Sequence, residues 1–330
     1  MNRLSSLSQK IKVYSEWITR WRAIPVSSWI NAAHLYRATR YQEASELYQL
    51  GLARHPTHPA RVSALLDLSH CLFKLRKLEE AEATLRKAVH LSPSDREGYI
   101  RLARLQLWLG YATEAAWTMR SCLQKVSPDP ELISVFLTAV VDSGGVSYLV
   151  QEAKDALSQF HAEPEAYPRL EVARARFEML VGDYEDGRER LSKLAALDRG
   201  PFDAVVGYAE VLLEDGKVAY ARHHLHRALI VAPDHPKVLG LIARTYLEEG
   251  AFFDPEAAMT LATKACQATA WRGIHEMHVL ARAYATMDDK ISALLIASKA
   301  KDTGRRLLGS YREAKDLDAL ISTLSVGTQA

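Results

Sequence analysis

Small and apolar residues return along most of this chain in two linked stripes. Within each stripe the apolar positions fall three or four apart, the rhythm of a helix with one buried face. The stretch FDAVVGYAEVLLEDGKVAYARHHLHRALIVAPDH, residues 202–235, shows the unit well. Val205, Tyr208, Ala209 and Leu212 form the first stripe, Gly216 marks a turn, and Ala221, Leu225 and Ala228 form the second. Pro233 then ends the second helix, because proline lacks the amide proton and clashes with the preceding turn. The pattern repeats every 34 residues. Gly182, Gly216 and Gly250 are one such series, and Ala175, Ala209 and Ala243 another. Ala81, Leu85 and Ala88 return as Ala115, Met119 and Cys122. Small residues where the two stripes face each other let antiparallel helices approach closely. The pattern therefore predicts a helix pair per period, and no strands.

Residues 25–58, 62–95, 96–129, 131–167, 168–201, 202–235, 236–270 and 274–303 can each be cut as one pair. The copy at 236–270 carries three extra residues, placed at Ala251–Pro255 between its helices. Two copies are degenerate. The one at 131–167 contains Gly144-Gly145, and the one at 168–201 puts Glu171 and Arg174 where apolar residues belong. A one-residue shift onto Leu170, Ala173 and Phe177 restores its apolar face. The spacing, the small-residue positions and the closing prolines Pro56, Pro93 and Pro233 together resemble the tetratricopeptide repeat family, over most of the chain. The resemblance implies an all-α, right-handed superhelical α-solenoid of about eight helix pairs with helical caps. A terminal repeat exposes an apolar face that has to be covered. Residues 1–24 are thus expected to be an amphipathic capping helix, residues 25–303 the solenoid, and residues 304–330 a capping helix and tail, with no true domain boundary and a bend at Gly144-Gly145.

Composition changes this picture little. Of 330 residues, 48% are hydrophobic and 25% charged, as expected for a chain with a large core. The net charge of +2 counts against a dedicated nucleic-acid binder. Cys71, Cys122 and Cys266 form no CxxC pair, and Cys122 and Cys266 fall at small packing positions of the second helices. No apolar run is long enough to cross a bilayer. Gln9, Lys10, Lys12 and Glu16 interrupt the N-terminal segment, so no signal peptide is predicted. A cytoplasmic protein, peripheral at a membrane if residues 1–22 act as an anchor, is the resulting expectation.

Three histidines, His223, His224 and His226, invite a metal or acid–base reading. In the repeat frame they lie on the outer side of a second helix, bracketed by Ala221 and Leu225, and no HExxH spacing accompanies them. No nucleophile elbow, phosphate loop or dinucleotide fingerprint occurs. The chain is read as non-enzymatic, with no catalytic residue, no metal and no cofactor.

The resemblance places partner binding on the inner face of the first helices. At the matching positions stand Arg104, Arg176, Arg244 and Arg282, joined by Arg101 and Trp108 in the third copy. The first two copies add Trp29, Tyr36, Phe73 and Lys74. Arginine offers a planar fork to carboxylates, and aromatic side chains supply rigid contact area. This combination points to an extended, acidic protein or peptide partner. A competing reading pairs the arginines with Asp67, Glu97, Glu210 and Glu248 within the face itself. His70 stands where the carboxylate-clamp members of the family use a different residue, so that partner class is not expected. Two further functions are compatible with the sequence. One is a peripheral subunit of a membrane-associated complex docked through residues 1–22, whose Lys10, Lys12, Arg20 and Arg22 flank an apolar face. The other, less favoured on charge, is a helical repeat that binds RNA.

Overall fold

The computed structural model describes residues 26–158, 167–198, 200–308, 311 and 313–326. Among them are seventeen α-helices and no strand. They pair as the periodicity requires: α1 Ser27–Arg37 with α2 Tyr41–Arg54, α3 Arg61–Lys74 with α4 Leu78–Leu91, and α5 Arg96–Trp108 with α6 Ala112–Leu123. Next come α7 Pro130–Asp142 with α8 Ser147–Ser158, α9 Pro168–Val181 with α10 Tyr184–Ala196, and α11 Phe202–Glu214 with α12 Val218–Val231. The last two pairs are α13 Pro236–Thr245 with α14 Pro255–Ala268, and α15 Ile274–Thr286 with α16 Lys290–Leu307; α17 Ala314–Val326 follows. The chain divides into two compact units, one ending at Arg101 and the other beginning at Leu102.

Local chemistry sets the helix ends. Pro130, Pro168, Pro236 and Pro255 open α7, α9, α13 and α14, at a position where the missing amide proton would have no helical partner. Asp129 accepts from the amides of Glu131 and Leu132, and Asp254 from that of Ala257, so both act as N-caps. The turn inside a pair needs a left-handed residue. Gly110, Gly144 and Gly216 supply it, at φ of 77°, 83° and 72°, which explains the recurring glycine in the sequence.

The predicted stripes are the core. Val205, Ala209 and Leu212 from α11 meet Ala221, Leu225 and Ala228 from α12. In the degenerate ninth helix Leu170, Ala173 and Phe177 are buried, as the shifted frame expects. The displaced Glu171 and Arg174 instead join an ion cluster, in which Arg190 meets Glu171 at 3.5 Å and Glu178 at 3.1 Å, and Arg174 meets Glu178 at 2.8 Å. The seventh pair has a long connection, residues 246–254, between α13 and α14; of the expected insertion Ala251–Pro255, Pro255 instead opens α14. Arg222 of α12 holds this loop. Its guanidinium lies over Tyr246 at 4.1 Å and Phe252 at 4.6 Å, and it donates to the Thr245 hydroxyl at 2.7 Å. The C-terminal apolar face differs from the single helix expected: α16 ends at Leu307, α17 begins at Ala314, and Leu317 and Leu324 are the buried residues. The N-terminal segment 1–24 lies outside the described residues.

Close approach of paired helices depends on the small positions. A Cβ added at Gly187 would sit 2.5 Å from the carbonyl oxygen of Ala175, which is backbone and cannot turn aside. Gly187→Val is therefore expected to destabilise the α9–α10 pair by about 1–3 kcal/mol. Amide hydrogen exchange localises such an effect in a repeat array: faster exchange in α9 and α10 is expected, and unchanged protection there would contradict the packing.

Candidate functional site

In the unit ending at Arg101, α1 and α3 carry an aromatic ladder on the face the first helices share. The Tyr36 ring meets the edge of His70 at 5.3 Å, and His70 meets Phe73 at 6.5 Å. Lys74 is exposed at the end of α3 and has no ion-pair partner among the described residues; the same is true of Arg37 on α1. Arg101 donates to Glu97 at 2.6 Å and to the Leu66 carbonyl at 3.1 Å. Burial, together with the nearby charges of Lys74 and Arg101, lowers the pKa of His70, so its ring is neutral at pH 7. Trp29, expected on this surface, is buried instead. Its indole N–H reaches the Tyr48 carbonyl at 3.4 Å, and its ring fills the space over Gly51, so it packs the first hairpin.

In the second unit the inner face is dominated by four charges. Arg176 donates to Asp142 at 2.7 Å and lies 3.1 Å from Glu210. Lys237 completes the set, 3.3 Å from Asp142 and 3.0 Å from Glu210. Asp142, Arg176 and Glu210 are successive 34-residue equivalents on α7, α9 and α11, so the repeat itself stacks acid, base and acid. Gly207 leaves room for the arginine: a Cβ there would lie 3.0 Å from the Arg176 Cδ. Burial alone would raise the Asp142 carboxyl, but Lys237 and Arg176 outweigh it and hold the group well below the usual carboxylate range. Two acids and two bases balance, as a buried charged cluster requires.

A cavity of about 390 Å³ lies against this quartet, with Arg104, Val135, Phe202 and His235 among its walls. A smaller one of about 110 Å³ adjoins it beside His275 and Glu313, whose side chains approach to 3.5 Å. His235 is gripped between Trp108 at 4.8 Å and Phe202 at 5.0 Å, and burial, aided by Lys237, pushes its pKa down to about 4.

The remaining sequence-selected residues are spread along the face. Arg104 is exposed and pairs with Glu131 at 2.8 Å. Arg244 lies 3.6 Å from Glu248, and Arg282 is half-buried near His278. Glu97, Glu210 and Glu248 each meet an arginine, and Asp67 accepts from the Tyr48 hydroxyl at 3.3 Å. Asp142, Lys237, His235 and Tyr111 were not selected, although the 34-residue step back from Arg176 leads to Asp142.

His223 and His226 are exposed, while His224 is half-buried, its ring edge-on to Tyr208 at 5.3 Å. Among the described residues no group of three or more His, Cys, Asp or Glu side chains is placed to hold a metal ion. All three cysteines are buried. No described helix is long and apolar enough to cross a membrane.

Successive antiparallel helix pairs of this kind define an α-helical repeat protein. Residues 31–96 match the tetratricopeptide repeat, and the described residues form an all-α array of helix pairs. Its fold is similar to that of a tetratricopeptide repeat protein from Parabacteroides merdae ATCC 43184, with a TM-score of 0.55 at 15% identity over 78% of this chain and 97% of that one. Weaker similarity links it to Cut9 with Hcn1, a hetero-tetramer of the APC/C, at a TM-score of 0.43 and 12% identity over 92% of this chain and 70% of that one. The TPR2AB domain of yeast Sti1 in complex with pHSP90 aligns at a TM-score of 0.35 and 13% identity, over 91% and 97% of the two chains.

Proposed function

We propose that this protein is a non-catalytic adaptor that holds an extended, acidic segment of a partner protein on the inner face of its first helices. The fold suggests a protein–protein interaction role, and rigid stacked repeats lower the ordering cost on their own side of a complex. The observation that carries the choice of face is the ladder Tyr36, His70 and Phe73 beside the exposed cations Lys74 and Arg37, which have no ion-pair partner among the described residues. Aromatic rings there offer contact area, and cations without internal partners favour carboxylates. Arg101 and Arg104 follow along α5, each held by a single solvent-exposed acid, Glu97 and Glu131, that a partner carboxylate can displace. Arg176 and Lys237 contribute less, since acids already neutralise them.

Charge reversal tests this reading. Arg101→Glu with Arg104→Glu is expected to abolish recovery of a partner that the parent protein retains in affinity purification followed by mass spectrometry. The same partners at the same yield would count against it. Reversal on a second helix, at Lys193, serves as the control, because that side chain is solvated and pairs with Glu189 one turn away.

A further inference from the structure

The turn between α5 and α6 reaches across the second unit. Trp108 donates its indole N–H to the Ala268 carbonyl at 3.3 Å while its ring packs on His235. Three residues on, Tyr111 donates its hydroxyl to the Arg272 carbonyl at 2.9 Å, and the Arg272 guanidinium lies over the Tyr111 ring at 5.5 Å. These bonds join residues 160 and 161 positions apart. Stacking of successive repeats requires no such contact, since each repeat needs only its neighbours. The receiving carbonyls flank a braced turn. Trp271 donates its amide to the Cys266 carbonyl at 2.7 Å, and Gly273 to the Thr269 hydroxyl at 3.2 Å. Ala270 and Trp271 both have positive φ, 51° and 60°, a conformation that non-glycine residues keep only where the surroundings impose it.

We infer that Trp108 and Tyr111 form a clasp that shuts the inner face of residues 102–330, so that a partner segment reaches the Asp142–Arg176–Glu210–Lys237 interior only after the clasp opens. The functional half of this statement rests on the inner face being the partner surface; the clasp itself does not. Each donated hydrogen bond biases the closed form by about fivefold, and the aromatic contacts add a factor of similar size. That closes most molecules yet leaves the equilibrium within reach of a partner that prefers the open form, whose apparent affinity scales with the open fraction. Trp108, selected from sequence as a contact residue, acts in this arrangement as part of the closure.

The test uses the full chain and no partner. Trp108→Phe with Tyr111→Phe removes both donated bonds and keeps an aromatic ring at each position, and Tyr111→Phe alone removes one bond at nearly constant volume; an unchanged far-UV circular dichroism spectrum verifies the fold. Nitroxides at Gln124→Cys, just past the end of α6, and Gln267→Cys on α14 report the gap between the two edges by electron–electron resonance. Phenylglyoxal reports access to the interior, as the rate at which it modifies Arg176 relative to exposed Arg86. In the double variant the distance distribution is expected to shift longer, and the Arg176 rate to rise about tenfold or more. Unchanged distances overturn the clasp. Longer distances with an unchanged Arg176 rate overturn its role as a gate. Neither readout depends on a partner, so failure of the adaptor reading in the charge-reversal experiment remains a separate result.

Discussion

Replacing Arg176 with methionine is expected to destabilise the protein by about 2–4 kcal/mol, below the full range for a wholly buried ion cluster because its partners are only half-buried. Arg176 is 12% exposed and binds both Asp142 and Glu210. Without it, two carboxylates from α7 and α11 face each other with Lys237 alone to balance them. Methionine keeps most of the volume, so the loss reports charge and not a cavity. The attribution has a built-in control: Asp142→Asn or Glu210→Gln added to Arg176→Met should restore part of the stability, because the stranded charge is gone. Urea unfolding measures the loss, and hydrogen exchange in α7, α9, α11 and α13 locates it. A variant as stable as the parent would show that the quartet is solvated and loose.

Acid is expected to weaken the protein before its carboxylates titrate. Burial pushes His235 down to about 4, with Lys237 adding to the effect, and burial, then His275 and Arg282, pushes His278 to about 4. The sign follows from proton counts. Unfolded histidines take up protons below about pH 6.5, whereas these two stay neutral in the folded protein until about pH 4. Stability present above pH 6.5 is therefore lost as the pH falls through that window, by as much as about 3 kcal/mol for each group. His275 works in the opposite sense. Burial would lower it, but its hydrogen bond to Glu313 and the charges of Glu276, Glu313 and Glu210 raise it, so its contribution is present at low pH and fades as the pH rises. The urea midpoint should fall between pH 6.5 and 5, and His235→Phe with His278→Phe should flatten that slope. An equally steep slope in the double variant would mean that other groups govern the acid response.

The helix pairs were legible because a 34-residue period of small and apolar residues is a direct record of packing. The frame shift onto Leu170, Ala173 and Phe177 and the loop inserted before Pro255 were readable for the same reason. The site was legible only in outline. Arginines at matching positions were visible, but whether each one meets a partner or an acid depends on contacts between successive repeats. Asp142 escaped notice because its copy is longer and degenerate, which hides its alignment with Arg176 and Glu210. Trp29 and Trp108 looked alike in the repeat frame. Gly51, far along the chain, makes room for the first, and the Ala268 carbonyl holds the second, and no periodicity reports either neighbour.

The central claim is that partners lie on the inner face of the first helices, and cross-linking mass spectrometry of the isolated complex tests it most directly. An amine-reactive linker samples both faces. Lys74 stands at the end of the aromatic ladder on a first helix, while Lys193 and Lys290 stand exposed on the second helices α10 and α16. Links from the partner to Lys74, with Lys193 and Lys290 linked only within the chain, are the expected result. Partner links concentrated at Lys193 and Lys290, with Lys74 unlinked, would contradict the account.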